Sequence, residues 1–161
     1  MLGKSGARAE DALTISVGGE VGQQAKLTVA DLDALPPHGV SGAWSDADEG
    51  AHFTASGPLL YDVINACMPL VGQESLARMG VVVTGADGYT SVFSWIEIAP
   101  EGSSDPVIVA TEFNGEPLRD IFQPAWVINP EDKTSLRAVF SVVSLEFLDL
   151  AAASTVKPPA S

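Results

Sequence analysis

Val81-Val82-Val83-Thr84-Gly85-Ala86-Asp87-Gly88-Tyr89-Thr90-Ser91-Val92-Phe93 is the stretch on which the fold turns. Three valines and a threonine read as a buried strand, because β-branched side chains fill a pleated surface well. Gly85 to Gly88 closes it with Asp-Gly turn chemistry, and Tyr89 to Phe93 continues as the neighbouring strand. Ser94 and Glu97 have capping-box spacing around Trp95, Ile96 and Ile98, so a single helical turn ending at Pro100 follows.

Working outward, Leu13 to Val17 and Lys26 to Val29 alternate apolar and polar residues, as short strands do. Thr28 stands three residues before Asp31, which predicts a capped helix carrying Val29, Leu32 and Leu35 up to Pro36-Pro37. Residues 38–57 show little periodicity and predict a loop-rich excursion with one strand near His52 to Ala55. Pro58 opens a helix whose stripe runs Leu59, Leu60, Val63, Ile64, Cys67 and Met68 through to Pro69, followed by a weak helical turn near Glu74 to Arg78. Val107 to Ala110, Trp126 to Ile128 and Ala138 to Leu148 read as strands, and Asn114-Gly115 is a strong hairpin signal. Strands outnumber helices, so the expected class is α+β, with a mixed, mostly antiparallel sheet or a barrel-like β core and short helices. The chain has 161 residues, enough for one domain; the expected division is a disordered leader or non-native run over 1–12, one fold over 13–149 and a disordered tail over 150–161.

Charge and motif content remove several function classes. Eight Lys and Arg against twenty-one Asp and Glu give a net charge of −13, and no basic run exists to attract a nucleic acid or an anionic membrane. No apolar stretch reaches the roughly 18 residues of a membrane span, so no membrane insertion is expected, and Met1 to Asp11 lacks the apolar core of a secretory signal. Neither GxGxxG nor GxxxxGK[ST] occurs, and no GxSxG elbow presents a serine. His38 and His52 stand near Asp46, Asp48 and Glu49, which suits a divalent ion chemically, but the spacing is not that of a helical ligand pair and acidic loops are ordinarily just solvated. Cys67, the only cysteine, falls on a helical apolar stripe and reads as a packing residue.

The aromatic residues carry more information. Trp44, Tyr89 and Trp126 lie in or beside loops and strand ends, where amphipathic rings can line a pocket for a flat heteroaromatic ligand; Trp95 belongs in the core. Asp132-Lys133 and Arg137 follow the strand that ends near Pro130, and a ligand with a polar rim would meet its hydrogen-bonding groups there.

The order of these motifs resembles the sulfite-oxidase-like fold of the oxidoreductase molybdopterin-binding domain family, especially its small, exported, single-domain members. The likeness rests on Leu27-Thr28-Val29-Ala30-Asp31-Leu32, Ser56-Gly57-Pro58-Leu59, Val83 to Tyr89 with Val92-Phe93-Ser94, Val109-Ala110 with Asn114 to Leu118, and Pro124 to Pro130 with Asp132-Lys133 and Arg137. The departures point away from oxygen-atom transfer. Metal-bearing members place a ligand cysteine before the first long helix, whereas Gly39 to Ser56 contains none; Trp126 stands at the family's arginine position and Phe140 at its lysine position. The resemblance thus implies a non-catalytic, periplasmic or exported binding protein for a pterin or similar planar heterocycle, with no covalent or metal-held cofactor. Trp44, Tyr89, Trp126, Asp132, Lys133 and Arg137 would be its contact residues, and it could signal to a protein partner. Two alternatives stay open: a protein interaction module with a vestigial pocket, and a molybdopterin-dependent oxidoreductase with atypical cofactor ligation.

Overall fold

The computed structural model describes residues 13–47, 51–70, 72–100 and 106–151. The expected leader over 1–12, residues 152–161 of the expected tail, and Asp48 and Glu49 of the acidic group lie outside the described residues. In chain order the elements are β1 (Ile15–Gly19), β2 (Ala25–Leu27), α1 (Val29–Asp33), β3 (Pro37–Ala43), β4 (His52–Pro58), α2 (Leu60–Asn65), a 3-10 helix (Gln73–Arg78), β5 (Met79–Gly85) and β6 (Thr90–Ser94). They continue with α3 (Trp95–Ile98), β7 (Ile108–Ala110), β8 (Glu112–Phe113), β9 (Glu116–Pro117), a 3-10 turn (Asp120–Phe122), β10 (Trp126–Ile128) and β11 (Val142–Asp149).

β5 and β6 form the predicted hairpin, antiparallel from Gly80 opposite Ser94 to Thr84 opposite Thr90. β11 pairs antiparallel with β5 and parallel with β1, which gives a five-stranded sheet in the order β2-β1-β11-β5-β6. A second sheet runs β3-β4-β8-β9, and β10 with β7 makes a two-stranded ribbon. The ribbon links the two sheets: Leu59 bridges Ile108, the Thr111 N–H donates to the Ser56 carbonyl at 2.9 Å, and Val127 bridges Val139 just ahead of β11. The class is α+β with mostly antiparallel strands. The sheets stay open, and no closed barrel forms among the described residues. No described helix is long and apolar enough to cross a membrane.

Alternation along the strands decides what is buried. Ile15, Val81, Phe93, Leu145 and Phe147 are fully buried on the five-stranded sheet, packed with Leu32, Ile64 and Trp95 from α1, α2 and α3. Each such side chain contributes about 1.5–3 kcal/mol relative to exposure. Trp95 packs against Tyr61 at 5.2 Å and Phe147 at 4.9 Å between ring centres, in the core as expected. A second cluster holds Trp44, Phe53, Ala55, Ile108, Ala110 and Ile128, between the second sheet and the ribbon strands.

Both capping boxes form. The Asp31 N–H donates to Thr28 Oγ1 at 3.2 Å while the Thr28 N–H donates to Asp31 Oδ2 at 2.9 Å; Ser94 and Glu97 repeat the exchange at 3.2 and 3.0 Å. Asn114 and Gly115 both adopt positive φ, 53° and 84°, the geometry of a two-residue hairpin turn. Two expectations need correction. The loop-rich reading of 38–57 misses β3, which pairs with β4 over its whole length, from Pro37 opposite Pro58 to Ala43 opposite His52. Its glycines and serine carry no alternation, so pairing rather than side-chain pattern makes the strand. The helix after Pro58 ends at Asn65 instead of reaching Pro69: the Cys67 and Met68 N–H groups donate three residues back, to Ile64 and Asn65, Met68 turns to φ 57°, and the Gly22 and Gln23 N–H groups hold the turn through the Met68 and Cys67 carbonyls.

The join between sheet and ribbon makes Gly57 intolerant of a side chain: a Cβ there would lie 2.1 Å from the Val109 carbonyl oxygen, whereas one at Gly39 meets nothing within 4 Å. Gly57→Ala should lower stability by at least about 2 kcal/mol, and Gly39→Ala on the neighbouring strand should stay within about 0.5 kcal/mol of neutral. Urea unfolding of the two variants checks this.

Candidate functional site

The Gly85–Gly88 turn places Asp87 and Tyr89 at one end of the five-stranded sheet. Gly88 takes φ +88°, and Asp87 Oδ1 accepts the Tyr89 N–H at 3.0 Å, fixing the residue that opens β6. The Tyr89 hydroxyl donates to the Leu136 carbonyl, and Ser91 Oγ donates to the Arg137 carbonyl at 2.9 Å. The segment after Pro130 therefore runs along the outer edge of β6, and side chains take the place of a further strand. Between this segment, the turn and β10 lies a recess of about 230 Å³ whose lining includes Tyr89, Trp126, Leu136, Phe140, Asp87 and Ser135.

Trp126 is half-buried and stands in a stack of rings. Phe113 lies 4.6 Å away with nearly parallel planes, Phe122 lies 4.7 Å away, and Phe140 meets it edge-on at 5.9 Å. Trp44 is 5.8 Å from Trp126 but is only 6% exposed, packed on Phe53 at 4.4 Å. The indole Nε1 atoms of Trp126 and Trp44 are both buried without a hydrogen-bond partner among the described residues. An unsatisfied buried donor costs about 1–3 kcal/mol, and both nitrogens are closed off from solvent.

The polar cluster has a different character. Arg137 Nε and Nη2 donate to Asp132 at 3.1 and 2.9 Å, Nη1 and Nη2 donate to Glu97 at 2.8 and 3.0 Å, and Nη1 also reaches the Val92 carbonyl at 3.3 Å. Every N–H of the guanidinium thus has a protein acceptor. Its carbon lies 4.6 Å from the centre of the Phe93 ring. Its hydrogen bonds to Glu97, then to Asp132, hold the Arg137 pKa above its ordinary value. Asp46 is held below the ordinary carboxylate value of 3.8, first by the Ser135 hydroxyl at 2.7 Å and then by the Ser135 N–H.

Of the six residues predicted to contact a ligand, the structure brings Tyr89 and Trp126 together in the recess. Trp44 sits behind Trp126 and outside the lining; Asp132 and Arg137 bind one another and Glu97; Lys133 is exposed, with its carbonyl accepting the Ser45 N–H at 2.8 Å. Sequence reasoning missed Asp87, Ser135 and Leu136 as lining residues and saw Phe140 only as a lost lysine. Their signal was the Asp-Gly turn itself, which fixes where Tyr89 emerges. His38 and His52 sit at opposite ends of the β3–β4 pairing, and among the described residues no three His, Cys, Asp or Glu side chains group to hold a metal.

No protein-family model matches this chain, and no curated protein matches it significantly. Among solved structures it is similar to the sulfane dehydrogenase SoxCD from Paracoccus pantotrophus, with a TM-score of 0.66 and 19% identity over 88% of this chain. The fold is a distant version of the sulfite-oxidase-like one. This chain spans 39% of the SoxCD chain, and at that identity the likeness concerns the fold alone.

The metal-bearing cofactor that the motif resemblance implies for catalytic relatives does not fit the residues present. Cys67 is 3% exposed inside the core and burial pushes its thiol pKa up, so it offers no accessible thiolate. Trp126 and Phe140, at the arginine and lysine positions of the motif, line the recess with rings instead of cations.

Replacing Arg137 should therefore act on stability. Arg137→Met leaves Glu97 and Asp132 facing each other partly desolvated and should cost about 2 kcal/mol, below the figure for a fully buried pair. Arg137→Lys should recover less than half of this, because an ammonium cannot match the planar fork. Chemical denaturation measures both. Asp46, with its depressed folded pKa, stabilises the fold above its unfolded value, and that contribution disappears as the pH falls through the depressed one. A carbon-detected NMR titration should show Ser135→Ala returning the Asp46 carboxyl toward 3.8.

Proposed function

We propose that this chain is a non-catalytic binding protein that holds a pterin or similar planar heterocycle in the recess beside Tyr89, Trp126 and Phe140. The observation that carries the reading is Trp126: a half-buried indole in the wall of an open recess that Tyr89 and Phe140 also line. A flat ring seated there packs against Tyr89 and Phe140, 46% and 40% exposed, gaining about 0.5–1.5 kcal/mol per aromatic pair beyond the area it buries. The volume, about 230 Å³, suits one or two fused rings and lies below the range of pockets that take larger ligands. Export to the periplasm enters this proposal from the motif resemblance alone.

A second reading, docking of a protein partner, is favoured by one observation. Leu136, 67% exposed, is part of the recess wall, and Ile121, 59% exposed, precedes Phe122, which packs on Trp126 and Phe140.

Tryptophan fluorescence separates the two. A pterin should quench emission saturably, and Trp126→Phe should remove most of the change while Trp44→Phe retains it. No saturable response up to about 1 mM, a free energy near −4 kcal/mol, refutes ring binding, and salt-sensitive association with a partner in the same preparation would favour docking.

A further inference from the structure

The electrostatics of the recess lead to the charge of its ligand. This inference rests on the ring-binding reading and narrows it. Asp87 is the single charged residue in the lining. One of its carboxylate oxygens accepts the Tyr89 N–H, and the other has no partner among the described residues. Ser135, also in the lining, is backed by the carboxylate of Asp46, which accepts both its N–H and its hydroxyl.

The cations nearby do not offset these carboxylates. All the donors of Arg137 are engaged by Glu97, Asp132 and the Val92 carbonyl. Arg119 stands 6.0 Å from the Phe122 ring and outside the lining, and Lys133 is exposed and outside it as well. The chain as a whole carries −13. Three aromatic rings, those of Tyr89, Trp126 and Phe140, complete the walls. Phe113 and Phe122 already stack on Trp126, which leaves the more exposed rings of Tyr89 and Phe140 to face a ligand, and the faces of such rings attract positive charge.

We infer that the recess selects a planar nitrogen heterocycle bearing positive charge, protonated or N-alkylated, over its neutral analogue, and rejects phosphorylated or carboxylated rings. The positive ring packs against Tyr89 and Phe140, beside the edge of Trp126, while the free oxygen of Asp87 faces its charge. An anionic ring meets the same walls, but its charge lies against Asp87 with no cation in the lining to offset it.

Three probes of one ring size test this on the full chain at pH 8: N-methylquinolinium, neutral quinoline and quinoline-2-carboxylate, each titrated by tryptophan quenching and calorimetry. The expected order is N-methylquinolinium at least tenfold tighter than quinoline, with the carboxylate weakest. The gap between cation and neutral ring should shrink as salt rises and should narrow at least threefold in Asp87→Asn, a variant that keeps the oxygen accepting the Tyr89 N–H. Equal affinity for cation and neutral ring, or a preference for the carboxylate, overturns the charge selection while leaving ring binding intact. If none of the three binds, ring binding fails and the charge inference fails with it.

Discussion

The guanidinium of Arg137 is the interaction on which the arrangement of this site depends. It ties together the carboxylate that caps α3, the Asp132 turn and the outward-facing carbonyl of Val92 on β6. Glu97 serves twice, closing the capping box with Ser94 and receiving two of the arginine's nitrogens. The segment that supplies Ser135, Leu136 and Phe140 to the recess is pinned at this point and again where the Tyr89 hydroxyl meets the Leu136 carbonyl. A strand edge would otherwise be open to chance pairing, and here it is covered by hydrogen bonds from side chains.

Much of the fold was legible because its signals are local. The Thr28 and Ser94 capping boxes, the Asp87-Gly88 turn and the Asn114-Gly115 turn are each written within four residues, and each appears where expected. The strand at Pro37–Ala43 was not legible, since it owes its conformation to a partner rather than to its own side-chain pattern. The length of α2 was misread for a similar reason: the turn at Met68 is held by the loop after β1, whose Gly22 and Gln23 N–H groups donate to the Met68 and Cys67 carbonyls.

The site was legible in its residue types and not in their pairings. Aromatic side chains near strand ends were a fair guide to Tyr89 and Trp126. Whether Trp44 lay in front of or behind Trp126 depended on Phe53 and Phe113, contributed by other strands. Arg137 shows the same limit more sharply. As a type it is a ligand donor; in place, acceptors forty residues away occupy it. A shared fold therefore leaves the chemistry of the site to be argued from the site itself.

The parallel pairing of β1 with β11 sets Ser16 opposite Ser144 and puts β11 at the centre of the five-stranded sheet, between the strand nearest the N-terminus and the central hairpin. During translation, β1 and β5 must therefore wait with unsatisfied edges until almost the whole described chain has left the ribosome. High contact order of this kind slows folding and lengthens exposure to aggregation.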